Sequence, residues 1–272
     1  MLKQRVLTAL LLLPLALAAI FAMPADWFIV LLAIIMLFGN REYARLAGLS
    51  GRVSARVMLS LQTIVFAILF QFREQWNEHI TIALIASCAL WLLMFIRLPM
   101  FRPGTPVDGA YRAVSFVTAI VSITTGWFAL SWVRSQPDGS WLIMLLLLIV
   151  WSADTGAYFA GRTFGKRKLA PNISPGKTIA GLFGGLVAAP LVAFLAADLM
   201  PITSLEPTRL IPLALVTALV SVGGDLLISL HKRTSGFKDS GALLPGHGGI
   251  LDRVDSLLVA APFFALGLLL AG

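Results

Sequence analysis

The sequence predicts an all-α, polytopic integral membrane protein: a bundle of about nine transmembrane helices, N-terminus inside and C-terminus outside. Three observations predict it. Only 12% of the 272 residues are charged, against roughly 25% in a soluble domain. Hydrophobic residues make up 58% of the chain, and its mean hydropathy is +0.90. Apolar runs recur from end to end, and roughly 20 helical residues cross about 30 Å of hydrocarbon.

The first run, Val6 to Met23, follows Lys3 and Arg5 and so imitates a secretory signal. Ala22-Met23-Pro24-Ala25 is a weak cleavage site and many spans follow, so this run is expected to stay as the first helix. The second, Trp27 to Asn40, is short, and Arg41 and Arg45 are expected to snorkel to the interface and lengthen it. Ala55 to Gln71, Ile80 to Ile96, Ala113 to Val133 and Trp141 to Ala160 come next. Thr178 to Ala197, Leu210 to Leu230 and Ile250 to Ala271 complete the set. With nine crossings starting inside, all but Arg73, Arg134 and Arg209 of the 21 Lys and Arg face inward. That is the bias of the positive-inside rule.

The net charge of +8 therefore reads as basic loops beside anionic membrane lipid, not as a nucleic-acid surface. Cys88 lies within an apolar run and reads as a small packed side chain. Residues 1–140 carry little polarity inside their runs. Gln62 and the Thr124-Thr125 pair are the exceptions, and both suit helix–helix hydrogen bonds. Residues 141–272 differ, because Asp154 and Asp225 sit in or at the ends of apolar runs and two long polar loops follow them. Intramembrane acids are costly and usually functional. The expected organisation is one continuous membrane domain, with scaffold helices over 1–140 and a catalytic region over 141–272.

The densest polar segment runs from Gly223 to Ser256. Asp225 and Ser229 are four apart and share a helix face. Lys232, Arg233 and Lys238 gather positive charge, and Asp239 follows at once. Gly241, Pro245, Gly246, Gly248 and Gly249 allow a tight loop close to a ligand. Asp252 and Asp255 are three apart at the start of the last helix, so their carboxylates point to one side. Carboxylates mixed with cations suit metal-assisted phosphoryl or nucleotidyl transfer. The acids would hold Mg²⁺ through oxygen, and Lys and Arg would hold the remaining phosphate oxygens.

A second segment runs from Asp154 to Gly181. Gly161, Arg162, Gly165 and Lys166 make a basic exit from a spanning helix. Residues Ser174 to Thr178 read as a turn feeding the next helix, with Ser174 as its N-cap. A helix N-terminus beside Lys177 is a natural phosphate site. The Gly176-Lys177-Thr178 triplet is not a P-loop, because Pro171 stands where the first glycine is needed and no β-strand is expected before it.

The run Ser229 to Asp255, S-L-H-K-R-T-S-G-F-K-D-S-G-A-L-L-P-G-H-G-G-I-L-D-R-V-D, resembles the signature of the phosphatidate cytidylyltransferase family. Asp154 to Lys166 and Ile173 to Thr178 resemble the same family's D-x-x-A-Y-F-x-G-R-x-F-G-K and I-S-P-x-K-T. His231 departs, standing where the family usually has an apolar residue. Ala180 stands where an acid or amide is common, so no polar role is assigned there.

The resemblance implies transfer of the cytidylyl group of CTP to phosphatidic acid, giving CDP-diacylglycerol and pyrophosphate for phospholipid biosynthesis. It implies a bacterial cytoplasmic (inner) membrane with the site facing the cytoplasm. Asp225, Asp252 and Asp255 would be ligands of Mg²⁺, with Asp239 as a further ligand or orienting group. Lys232, Arg233 and Lys238 would act on phosphates of CTP or lipid. Asp154, Arg162, Lys166, Ser174, Lys177, Thr178 and Ser229 would bind substrate. His247 reads equally as a phosphate donor or as part of a tight loop. A second cation and a homodimer stay open.

Two other readings share these residues. A CTP-dependent lipid-alcohol kinase would reuse the acids and bases, and an ion-coupled transporter would use Asp154 and Asp225 as a path. Transporters usually show matched halves, whereas here the polar features are confined to one half. The D-G-x-x-A-R pattern of the CDP-alcohol phosphotransferases is absent.

Overall fold

The computed structural model describes residues 2–49, 51–202 and 206–271. Among these, the side chains of 2–7, 9, 52, 197, 198 and 207 are excepted, so those of Lys3, Arg5 and Arg52 in the charge count lie outside the described residues. The helices follow the expected order: α1 (Leu2–Ala22), α2 (Ala25–Leu46), α3 (Arg52–Gln71), α4 (Trp76–Phe95), the short α5 (Arg97–Met100) and α6 (Gly109–Ser135). Then come α7 (Gly139–Phe164), a hairpin of β1 (Lys168–Ala170) and β2 (Ser174–Thr178), α8 (Ile179–Leu199), α9 (Pro207–Thr234) and α10 (Leu251–Ala271). Among the described residues, 8 helices are long and apolar enough to cross a membrane; the described apolar part of α1, Leu10–Ala22, is shorter. The protein is a multi-pass, all-α membrane protein.

Helix α2 continues past Asn40 through Arg41 and Arg45 to Leu46, the lengthening expected of the short second run. Tyr43, Ala44 and Leu46 are buried while Arg41 and Arg45 face outward, so burial of one face carries the helix through the charges. Residues 174–178 form not a turn but strand β2, antiparallel to β1 with Lys168 opposite Thr178 and Ala170 opposite Ser174. The chain reverses through Pro171 and Asn172, and the hairpin stands over the end of the bundle where α7 leaves and α8 enters.

Helix α10 lies at the centre, packed on α9, α6, α4, α7 and α2. Its Leu258, Val259, Ala260, Ala261 and Phe264 are fully buried. Large aromatics fill the other half of the core, where Trp127 Nε1 donates to the Ile29 carbonyl at 3.1 Å. The expected helix–helix hydrogen bonds are present. Asn40 Nδ2 donates to Gln62 Oε1 (3.0 Å), Gln62 Nε2 to Thr124 Oγ1 (2.9 Å) and Trp91 Nε1 to Thr125 Oγ1 (3.0 Å). Cys88 is buried and free. At the α1–α2 turn, Arg73 pairs with Asp26 at 3.0 Å and Arg134 Nη2 donates to the Met23 carbonyl at 2.6 Å. Two of the three cations that the sequence sets apart thus share one end of the bundle.

Candidate active site

The site begins with an unusually close helix pair. A Cβ on Gly184 of α8 would lie 2.6 Å from the Gly156 carbonyl oxygen of α7, and one on Gly185 would lie 2.8 Å from that of Ala153. Only small residues permit such an approach. It carries Asp154 on α7 to the mouth of a cavity of about 180 Å³, whose walls include Tyr158, Lys177, Thr178, Gly181 and Val222. The N-cap of α8 is Thr178, whose Oγ1 accepts from Gly181 N at 3.0 Å. Ser174, expected to cap this helix, lies at the start of β2 instead. The hairpin moves the helix start four residues on, and Thr178 has the extended backbone that a cap requires.

Strand β2 delivers Lys177 to α9. Its Nζ stands 2.7 Å from Asp225 Oδ2 and 3.5 Å from the Val222 carbonyl. Asp225 Oδ1 accepts from Ser229 Oγ at 3.1 Å, one turn on along α9. Asp154 lies within electrostatic reach of both Lys177 and Asp225. The two polar segments of the sequence therefore meet at one point.

Helix α10 closes the other side. A Cβ on Gly224 would lie 2.7 Å from the Asp255 carbonyl oxygen, so α9 and α10 touch backbone to backbone beside Asp225. The buried Asp255 is within electrostatic reach of Asp225, Lys232 and Lys177. Lys232 Nζ donates to Asp252 Oδ1 at 2.8 Å, and both side chains are buried. Asp252 Oδ2 accepts from Ser240 N (2.8 Å) and Gly249 N (3.1 Å). Asp252 thus folds the 236–250 loop back onto the start of α10 and holds Lys232 at once. Gly248 has φ +80° and lies against Asp252 Oδ2, leaving no room for a side chain.

The remaining sequence candidates lie around this centre. Arg233 Nε donates to the Ile173 carbonyl at 3.1 Å and so ties α9 to the hairpin. Arg162 is exposed and donates to Tyr158 OH at 3.1 Å. Lys166, Lys238 and Asp239 are exposed, and none makes a side-chain hydrogen bond or ion pair among the described residues. His247 lies in the tight loop, its buried Nδ1 without a hydrogen-bond partner. His231 is fully buried away from the acids. It shares a hydrogen bond through Nδ1 with the Leu227 carbonyl (2.8 Å), and Arg97 Nη1 lies 3.2 Å from Nε2. A carbonyl only accepts and a guanidinium only donates, so the imidazole is the neutral Nδ1–H form.

Mg²⁺ would need carboxylate oxygens from this set. Asp225 and Asp255 lie on adjoining helices within electrostatic reach of each other, and Asp154 on α7 is within reach of Asp225. Asp252 is spent on Lys232 and two backbone N–H groups. Among the described residues no group of three or more His, Cys, Asp and Glu converges as a closed metal shell. A pair of carboxylates with polyphosphate completing the coordination nevertheless fits Mg²⁺, which keeps water and substrate oxygens as ligands.

The sequence reading missed Glu42 of α2. Its carboxylate accepts from Ser240 Oγ (2.8 Å), Ile250 N (3.1 Å) and Leu251 N (2.9 Å). The one available signal was a single acid between Arg41 and Arg45, at the end of a run that otherwise reads as scaffold.

Residues 3–271 match the cytidylyltransferase family. A Pseudomonas aeruginosa protein described as phosphatidate cytidylyltransferase is 38% identical over 273 residues, covering 100% of this chain and 98% of its own. One from Haemophilus influenzae with the same description is 35% identical over 282 residues, covering 97% and 98%. One from Bacillus subtilis, also so described, reaches 47% over 124 residues, covering 44% and 45%. With near-complete coverage on both sides, the chain belongs to the cytidylyltransferase family.

Proposed function

We propose that this protein is a phosphatidate cytidylyltransferase of a bacterial cytoplasmic membrane, joining CTP and phosphatidic acid to give CDP-diacylglycerol and pyrophosphate. The observation that carries the proposal is the convergence of Lys177, Asp225, Asp154 and Asp255 from four separate elements at one end of the bundle. Two relatives that match nearly the whole chain bear the same description.

A phosphate oxygen of the lipid attacks the α-phosphorus of CTP. The bond from that phosphorus to the bridging oxygen breaks, and its electron pair leaves with pyrophosphate. Both reactants are polyanions, so the protein's work is to bring them together and offset charge. Lys177, presented by the hairpin, would hold triphosphate oxygens in the cavity beside Asp154. Lys232, fixed by Asp252, offers a second ammonium at the α9–α10 boundary. Asp225 and Asp255 are the residues that would hold Mg²⁺, which would supply positive charge to offset that developing on the phosphates. Arg233 anchors the hairpin, and Arg162, Lys166 and Lys238 give the rim a positive field that draws CTP inward. The site would face the cytoplasm, where CTP is made. The bias of Lys and Arg toward the loops at this end supports that orientation.

Pyrophosphate release from purified protein tests the proposal, with CTP compared with dCTP, ATP and GTP, and phosphatidic acid with a long-chain lipid alcohol. Release that needs CTP, phosphatidic acid and Mg²⁺ is the expected result. No pyrophosphate under varied lipid and metal conditions removes it. Phosphorylation of the alcohol with CDP as the product would make the protein a lipid kinase.

A further inference from the structure

The structure assigns a positioning role to Glu42, and we propose that its carboxylate sets the catalytic loop and, through Ser240 and Asp252, the place of the Lys232 ammonium. This rests on the functional reading above. Glu42 stands near the inner end of α2, far in sequence from every acid in the signature segments. Its side chain is half-buried, and its two oxygens accept three hydrogen bonds from the loop and the first residues of α10. Oε1 takes Ile250 N, while Oε2 takes Ser240 Oγ and Leu251 N. These donors occupy the carboxylate, which makes it a clasp rather than a metal ligand. Two of them are N–H groups at the α10 N-terminus, where a negative charge is favoured by the helix dipole.

The space around the clasp is equally specific. A Cβ on Gly241 or on Gly249 would run into the Glu42 carboxylate. Both glycines are thus explained by the acid they admit. From Ser240 the connection is short: its backbone N–H donates to Asp252 Oδ2, and Asp252 Oδ1 receives Lys232 Nζ. Glu42 therefore holds Ser240 by its hydroxyl while Asp252 holds the same residue by its amide. Lys232 depends on both. Arg45, one turn from Glu42, lies 4.0 Å from the Phe237 ring centroid and secures the start of the same loop. The inner end of α2 is in this way a wall against which the loop is set.

A positioning residue should affect turnover more than nucleotide affinity, because the cavity lined by Asp154 and Lys177 is built by other elements. A displacement of about 1 Å can cost about 10²-fold in rate. Glu42→Gln places an amide N–H₂ against a donor, and is expected to lower kcat about 10- to 100-fold with KM for CTP within about threefold. Ser240→Ala removes one donor from the clasp and is expected to lower kcat by a smaller factor. The double variant should be little worse than Glu42→Gln alone, because both changes act through one contact. Amide hydrogen exchange reads the clasp without turnover: residues 240–251 should exchange faster in Glu42→Gln, with α7 and α8 unchanged. If the wild-type protein releases no pyrophosphate, the functional reading falls, and unchanged exchange over 240–251 would still overturn the clasp. Faster exchange with unaltered kcat would make Glu42 structural only, and a rise confined to KM or strictly multiplicative losses would equally overturn the inference.

Discussion

Lys177 Nζ lies 2.7 Å from Asp225 Oδ2, and this pair joins the hairpin before α8 to the start of the polar segment on α9. Neither side chain is more than about a third exposed, so each leaves the other as a poorly solvated charge when it is removed.

The pair should therefore behave as a unit. Lys177→Met and Asp225→Asn are each expected to lower turnover by about 10²- to 10³-fold, the range seen when a preorganised charge-stabilising group is lost. The double variant should lose much less than the product of the two factors, with a coupling of about 0.5–3 kcal/mol. Pyrophosphate-release rates for the four proteins measure it. Independent losses would mean that the two residues contact different parts of the substrates.

Asp255 gives a sharper expectation because it is buried at the α9–α10 contact and sits near a second carboxylate. Asp255→Asn removes one of two like charges, so membrane insertion and thermal stability should hold or improve. Turnover should nevertheless fall by about 100-fold or more if the carboxylate serves a cation that offsets transition-state charge. A Mg²⁺ titration of the residual rate should shift to higher concentration. Near-normal rates at unchanged Mg²⁺ would take Asp255 out of the reacting centre.

The α7–α8 approach has its own consequence. A side chain at Gly184 would press on the Gly156 carbonyl oxygen and the Ala160 methyl. Gly184→Val should destabilise the protein by about 1–3 kcal/mol, as overpacking does. It should also displace Asp154 from Lys177 and lower turnover. Thermal unfolding in detergent gives the first quantity and pyrophosphate release the second. An unchanged midpoint would show that the two backbones are not in contact.

Much of this was legible in the sequence. An apolar run marked every long helix, short of a full span only for α2, since lipid demands both length and hydrophobicity of each. The meeting of Asp225 with Ser229, and of Asp252 and Asp255 on one side of α10, followed from helical spacing. The hairpin was not legible, because Ser174-Pro175-Gly176 carries turn residues and the pairing partner is a three-residue strand with no apolar alternation. Glu42 was not legible for a different reason. Its partners are backbone N–H groups and a serine at a separation of about 200 residues, and contacts of that kind leave no pattern along the chain.

The last prediction concerns which way the site faces. Ala242 lies exposed in the 236–250 loop, while Glu74 lies exposed beside Arg73, which pairs with Asp26 near the α1–α2 turn. If nine crossings begin inside, these two positions fall on opposite sides of the bilayer. Cys88 is buried within α4, so Cys88→Ala gives a silent background into which Ala242→Cys or Glu74→Cys is introduced. A membrane-impermeant maleimide should label Glu74→Cys in intact cells and Ala242→Cys only in inverted vesicles. The bias of Lys and Arg toward the Ala242 side sets the direction of this expectation. Labelling of Ala242→Cys in intact cells would turn the protein over and place its aspartates away from the compartment that supplies CTP.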